Sequence, residues 1–299
     1  HTYNARGMYT VTLTVSGLGG SDQLSELSYV SVSEAPNAAF VGDPLSGVAP
    51  LAVSFTDQSA GDYDTCEWDF GDGGTATGCS GVEHTYSTAG VYDVTLTISG
   101  SGGTDTLVRS GYVSVYEAPN AAFAGDPLSG VAPLDVSFTD QSAGDYDTCE
   151  WDFGDGGTAT GCAVVEHSYS TAGVYDVTLT VSGSGGADTL VRAAYVNVYE
   201  PPTVAFLGDP LSGVAPLDVS FTDASTGDYD TCEWDFGDGT TGTGCGGTSH
   251  TYNARGMYTV TLTVSGPGGS DQLSESPYVS VYEAPNAAFV GDPLSGVAP

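Results

Sequence analysis

The chain has 299 residues, 38 of them acidic against 4 basic, all Arg, for a formal net charge of −34. A surface that acidic excludes nucleic acid as a partner, because phosphates require a basic face; it also argues against docking on an anionic membrane. Hydrophobic residues make up 40% of the chain, enough for a folded core, and no apolar run approaches the roughly 18 residues of a membrane span.

Length alone suggests about two domains, but internal repetition overrides that count. Trp68, Trp151 and Trp234 are 83 residues apart, as are His1, His84, His167 and His250. The block Cys66-Glu67-Trp68-Asp69-Phe70-Gly71-Asp72-Gly73 recurs at 149–156 and, intact, at 232–239. Residues 1–50 and 250–299 differ at only four positions, whereas 1–50 and 84–133 differ at fifteen. The better match lies at 249, three times 83, as if a block of three repeats had been duplicated. The expected division is therefore a C-terminal part at 1–35, whole repeats at 36–118, 119–201 and 202–284, and an N-terminal part of a further repeat at 285–299. The chain opens at His1 without a visible signal peptide and stops at Pro299 just before an expected strand. It reads as a window on a longer array.

Within repeat 36–118 the elements follow in order. Ala38 and Phe40 suggest a short first strand. A turn is expected over Leu45-Ser46-Gly47-Val48-Ala49-Pro50. Leu51, Val53 and Phe55 alternate with Ala52, Ser54 and Thr56, which marks a strand with one buried face. The Trp block follows; Asp72-Gly73 reads as a two-residue hairpin turn. Centred there, the register opposes Phe70 to Thr75, Trp68 to Thr77 and Cys66 to Cys79. Tyr92, Val94, Leu96 and Ile98 form the next alternating run. After the turn Gly100-Ser101-Gly102-Gly103, Val113 and Val115 close the repeat. Short alternating strands with regular turns predict an all-β two-sheet sandwich. Trp68, Trp151, Trp234, Tyr92, Tyr175 and Tyr258 are its expected structural core.

Six cysteines in three pairs point to an oxidising, extracellular compartment. The repeat and the hairpin register favour local disulfides, Cys66–Cys79, Cys149–Cys162 and Cys232–Cys245, each stabilising its repeat by about 3 kcal/mol. A thiolate metal site is disfavoured, since two Cys and one distant His per repeat are too few ligands.

These motifs resemble the polycystic-kidney-disease (PKD) domain. The resemblance rests on Gly47-Val48-Ala49-Pro50-Leu51, Val53-Ser54-Phe55-Thr56-Asp57, Trp68-Asp69-Phe70-Gly71-Asp72-Gly73, His84-Thr85-Tyr86 and Gly90-Val91-Tyr92-Asp93-Val94-Thr95-Leu96-Thr97, in that order. It implies tandem immunoglobulin-like sandwiches outside the cell. In prokaryotes such domains occur in surface layers, sheaths and adhesins, and beside secreted hydrolases. Some members bind calcium; the paired Cys are not a general feature of the family.

Calcium is the one cofactor with a candidate set: Asp57, Asp62, Asp64, Asp69 and Asp72 could converge as oxygen ligands. No Asp-x-Asp-x-Asp-Gly loop is present, and turn capping by Asp57 and Asp72 is the competing reading. Asp69-Phe70-Gly71 spells a kinase metal motif, but it lies in a hairpin of a chain without Lys. His84, His167 and His250 recur once per repeat, which suits a structural role. No catalytic residue is expected, and the chain is not expected to be an enzyme.

The links Tyr116-Glu117-Ala118-Pro119-Asn120 and Tyr199-Glu200-Pro201-Pro202-Thr203 are short and Pro-containing, hence stiff. Three compact domains so joined should span about 100 Å or more. The expected function is an extracellular structural repeat protein, a cell-surface fibre, sheath, stalk or filament, whose partners are copies of itself and the cell surface or an extracellular polymer. Two alternatives stand beside it: the spacer of a large adhesin, or polymer-binding modules of a secreted hydrolase.

Overall fold

The computed structural model describes residues 1–290 and 295–296. The expected fragment 285–299 therefore lies partly outside the described residues. Every element in the described chain is a strand. The chain falls into two compact units. The first holds an N-terminal hairpin and repeat 36–118; the second holds repeat 202–284.

The hairpin pairs β1 (Gly7–Gly17) with β2 (Gly20–Val32) and has no second sheet. Repeat 36–118 contains β3 (Phe40–Asp43), β4 (Ser46–Val48), β5 (Leu51–Asp57), β6 (Thr65–Asp69), β7 (Thr75–Thr77), β8 (Val82–Tyr86), β9 (Gly90–Gly100) and β10 (Gly103–Tyr116). They form a three-stranded sheet, β3-β5-β8, and a five-stranded sheet, β4-β10-β9-β6-β7. Repeat 202–284 carries the same two sheets, from Phe206–Asp209 to Gly269–Tyr282.

The alternation read from the sequence is the burial pattern of the strands. Leu51, Val53 and Phe55 point inward from one sheet, and Val94, Leu96 and Ile98 from the other, all at most 9% exposed. Trp68 lies between them. Its ring meets Phe40 at 5.3 Å and Phe55 at 5.8 Å between centroids, and its Nε1 donates to the Gly78 carbonyl at 3.0 Å. Aromatic pairs in such edge-on and tilted arrangements add to simple burial.

Three expectations are corrected. First, the turn over 45–50 contains a strand. Ser46–Val48 runs parallel to β10, opposing Ser114, Val115 and Tyr116. The chain crosses from one sheet to the other at Pro44, so this short segment finds a ladder that no local signal announces. Second, Tyr92, Tyr175 and Tyr258 are half-buried at the rim. Each donates its hydroxyl to a backbone carbonyl four residues upstream, Tyr92 to Thr88 at 2.8 Å, in the manner of a tyrosine corner. The tyrosines of the interior are Tyr86, Tyr169 and Tyr252, with no exposed surface.

Third, the Trp hairpin is shifted by one residue. Trp68 opposes Ala76, Asp69 opposes Thr75, and the Gly78 amide donates to Cys66. The turn is the three-residue loop Gly71-Asp72-Gly73, closed by Phe70 N–H to the Gly74 carbonyl at 3.1 Å. Gly71 and Gly73 both sit at positive φ, 82° and 92°; two flexible residues around Asp72 favour the longer loop. Cys79 is then one place out of register with Cys66. Gly78, at φ 141°, turns the chain so that Cys79 faces back. Repeat 202–284 shows the same shift, with Trp234 opposite Gly242.

Candidate functional site

Three side-chain groups recur in the repeats, and each is built where strand ends meet loops. The first is the hairpin clip. Cys66 and Cys79 are joined, S–S 2.00 Å and Cα–Cα 5.2 Å; Cys232 and Cys245 likewise, at 2.03 Å and 5.1 Å. Cys149 and Cys162 are also disulfide-bonded. Asp57, at the end of β5, faces the clip. Its Oδ2 lies 3.6 Å from Cys66 Sγ and accepts from the Tyr63 hydroxyl at 3.0 Å, while its Oδ1 accepts from the Ser59 amide at 2.9 Å.

The second group surrounds His84. Its Nε2 meets Asp72 Oδ2 at 2.8 Å, its ring stacks on Phe70 at 4.1 Å, and Tyr86 meets it edge-on at 4.7 Å. His167 with Asp155 and His250 with Asp238 repeat the 2.8 Å contact. The imidazole thus ties β8 to the hairpin loop. Burial pushes the Asp72 carboxyl up, but the bond with His84, the Gly74 amide and the attraction of His84 outweigh it and hold it below its ordinary value. Asp155 is lowered in the same way, and Asp238 is lowered against burial by the Thr240 hydroxyl first and then by His250. Burial pushes the Tyr86 hydroxyl well up, and the Asp72 charge adds to it.

The sign of the linkage follows. A carboxyl lowered by folding contributes stability that is present above its unfolded value and lost as pH falls through the folded one. A phenol raised by folding contributes stability present below about pH 10 and lost above it. The urea midpoint is expected to fall steeply below about pH 4. The triple change Asp72→Asn, Asp155→Asn, Asp238→Asn should flatten that acid limb and only shrink the alkaline limb, because burial, the larger cause of the raised tyrosines, stays while the neighbouring Asp charge is lost. Equal acid slopes for the two chains in urea titrations would refute the assignment.

The third group lies where one repeat hands over to the next. The Glu34 amide donates to Asp62 Oδ2 at 2.8 Å, the Asp62 amide returns to the Glu34 carbonyl at 3.1 Å, and the Gly102 amide donates to the Asp62 carbonyl at 2.9 Å. Glu117, Asp145 and Gly185 repeat the arrangement, as do Glu200, Asp228 and Gly268. A Cβ on Gly102 would collide with the Glu34 carbonyl oxygen, so glycine is required there by space. Each link is thereby bonded to the repeat that follows it. At the first link Arg6 adds ion pairs to Asp62 at 3.0 Å and Glu34 at 3.5 Å.

The five acids considered for calcium are thus divided among separate tasks. Asp57 caps a turn and faces the clip, Asp62 holds the link, and Asp72 holds His84. Asp69 accepts from the Gly71 amide at 2.9 Å, and Asp64 is exposed. Among the described residues no three of these carboxylates share a ligand-sized cluster; the groups that do are Asp57-Cys66-Cys79 and its two equivalents. The set does not fit the six to eight oxygens of a calcium ion. Sequence reasoning missed Arg109 and Arg192. The Arg109 guanidinium stands 5.1 Å over the Phe40 ring and 5.0 Å over Tyr112, a cation–π contact. Their recurrence 83 residues apart in a chain with four Arg was the available signal.

Comparison with known proteins places this geometry. The PKD domain family matches residues 33–115, 116–198 and 200–281. Human Polycystin-1 is 31% identical over 280 residues, 89% of this chain; the chain spans 6% of that protein's length. Among solved structures, the I-band fragment I67–I69 of titin superposes with a TM-score of 0.59 at 16% identity, covering 85% of this chain and 100% of the fragment. An E-to-A variant of the same three immunoglobulin domains gives 0.59 at 15% identity, covering 83% and 98%. At that identity the likeness concerns the fold: tandem immunoglobulin-like sandwiches.

Proposed function

We propose, from the premise that this chain belongs to the PKD domain family, that it is a load-bearing repeat segment of an extracellular fibre, sheath, stalk or filament. Tandem PKD and immunoglobulin-like repeats with disulfides are extracellular structural or adhesion-type modules. The observation that carries the finer reading is the link. The same three backbone and carboxylate bonds recur at Glu34, Glu117 and Glu200. Closely similar repeats whose links carry the same bonds are the units of a quasi-one-dimensional array.

Copies of the same chain are the proposed partners, with the cell surface or an extracellular polymer at the ends of the assembly. The edge strands are short: three residues in β4 and β7, four in β3 and five in β8. Short edges resist strand-to-strand pairing, so lateral contact is assigned to sheet faces. Near-identity at an offset of 249 suits a long uniform array equally well as the spacer of an adhesin, which is the second reading. Electron microscopy of the native material separates them. Continuous fibres are expected; isolated rods tipped by a different domain would favour the adhesin, and compact globules would sink both.

A further inference from the structure

The carboxylate beside each disulfide is the feature that neither the fold nor the array explains. Asp57 Oδ2 lies 3.6 Å from Cys66 Sγ, and Asp223 Oδ2 lies 3.5 Å from Cys232 Sγ. In all three repeats one carboxylate oxygen and both sulfurs lie within 4.8 Å of one another. We propose that opening the Cys66–Cys79 bond converts this corner into a metal site for a thiophilic divalent ion such as zinc, with two thiolates and the Asp57 carboxylate as ligands; Asp140, Cys149 and Cys162, and Asp223, Cys232 and Cys245, form its counterparts.

The geometry supports it. Zinc bonds to sulfur at about 2.3 Å and to carboxylate oxygen at about 2.1 Å, so in a tetrahedron a sulfur and an oxygen ligand stand about 3.6 Å apart and two sulfurs about 3.7 Å apart. The Asp57–Cys66 separation already has that value. The two sulfurs must part, and Cys79 lies exposed at the surface, where its side chain has room to move, while its counterpart Cys245 is half-buried. The Asp57 carboxylate is held by Ser59 N–H and the Tyr63 hydroxyl, the kind of outer contact that fixes a ligand's orientation. Water would supply the fourth position on the exposed side. A net charge of −34 concentrates cations around the chain. Two Cys and one distant His per repeat are too few ligands on the sequence alone; the fold brings the Asp57 carboxylate to the cysteines.

The chemistry balances with a phosphine as reductant. It attacks one sulfur, the S–S bond breaks, and hydrolysis of the thiophosphonium leaves a phosphine oxide and two thiols whose protons come from water. The metal then displaces the two thiol protons to solvent.

The full chain, reduced by a water-soluble phosphine under inert gas and desalted, is titrated with zinc alone, with cobalt(II) as the spectroscopic probe. Three tight sites per reduced chain and none in the oxidised chain are expected, with thiolate-to-cobalt charge-transfer bands and native Trp fluorescence. The triple change Asp57→Asn, Asp140→Asn, Asp223→Asn should weaken binding by about tenfold or more. Asp57→Asn alone should leave two tight sites and weaken the third by the same factor, which keeps the test readable if the triple variant misfolds. Equal binding by the oxidised chain, no binding by the reduced chain, or binding indifferent to the Asp changes (the result for thiols of an unfolded chain) would overturn the proposal.

Discussion

Changing Trp68 to Ala is expected to unfold repeat 36–118 while repeat 202–284 stays folded. Trp68 is 1% exposed and is the meeting point of Phe40, Phe55 and Phe70. Truncating a buried Trp to Ala costs about 3–5 kcal/mol in lost transfer energy and cavity. The indole N–H to the Gly78 carbonyl is lost as well, which leaves a part-buried acceptor without this partner. A domain of this size carries only about 4–12 kcal/mol in total, so the change consumes much or all of it. Each repeat has its own core, with its own Trp and disulfide, and the effect should be confined. Urea unfolding followed by near-ultraviolet circular dichroism should become biphasic, with one early phase worth one domain. A single cooperative transition shifted as a whole would mean that the repeats are not energetically separate.

Placing residues 202–249 ahead of His1 is expected to turn the N-terminal hairpin into a fourth sandwich. A two-stranded hairpin alone is marginal in water, and this one exposes Leu13 at 62%, Val15 at 56% and Leu24 at 60%. The same sequence at the end of repeat 202–284 buries Val260, Leu262 and Val264 completely, because Trp234, Phe221 and Val219 face them from residues 202–249. Supplying those residues should bury side chains worth about 1.5–3 kcal/mol each. The lengthened chain should gain one disulfide by mass, lose the binding of a hydrophobic dye, and protect the amides of Leu13 and Leu24 from exchange. Persistent dye binding with unchanged exchange would show that the hairpin does not carry the back half of the fold.

Much of the sandwich is legible without coordinates. Leu51, Val53 and Phe55, and Val94, Leu96 and Ile98, alternate with polar residues, and that period leaves a strand one way to bury its face. The repeat of 83 multiplies each such signal. Other parts are not legible for identifiable reasons. Ser46-Gly47-Val48 looks like a turn because its strand pairing is with Ser114 to Tyr116, nearly seventy residues away, and carries no local pattern. The hairpin register differs by one residue from the one Asp72-Gly73 predicts, because that pair satisfies a two-residue turn while the left-handed Gly71 makes the loop longer. Tyr92 opens an apolar strand but sits half-buried at its rim, whereas Tyr86 shares its neighbourhood with a polar His and yet is fully buried.

The candidate sites divide in the same way. The residue types were visible: acids, cysteines and a histidine at fixed spacing. Their partners were not, because hydrogen bonds such as Asp72 to His84 and Glu34 to Asp62 join residues on different elements. Of five acids that look like one calcium set, Asp57 pins a turn, Asp69 and Asp72 the hairpin loop and Asp62 a link, while Asp64 is exposed.

The sequence by itself determined that this is an acidic array of closely similar β-sandwich units with paired cysteines, because period, alternation and cysteine count are properties of the chain read in one dimension. Only the tertiary structure decided which carboxylate meets which partner. That choice depends on how two sheets bring loops distant along the chain to within hydrogen-bonding distance, and it placed Asp57 against the disulfide and Asp62 at the link.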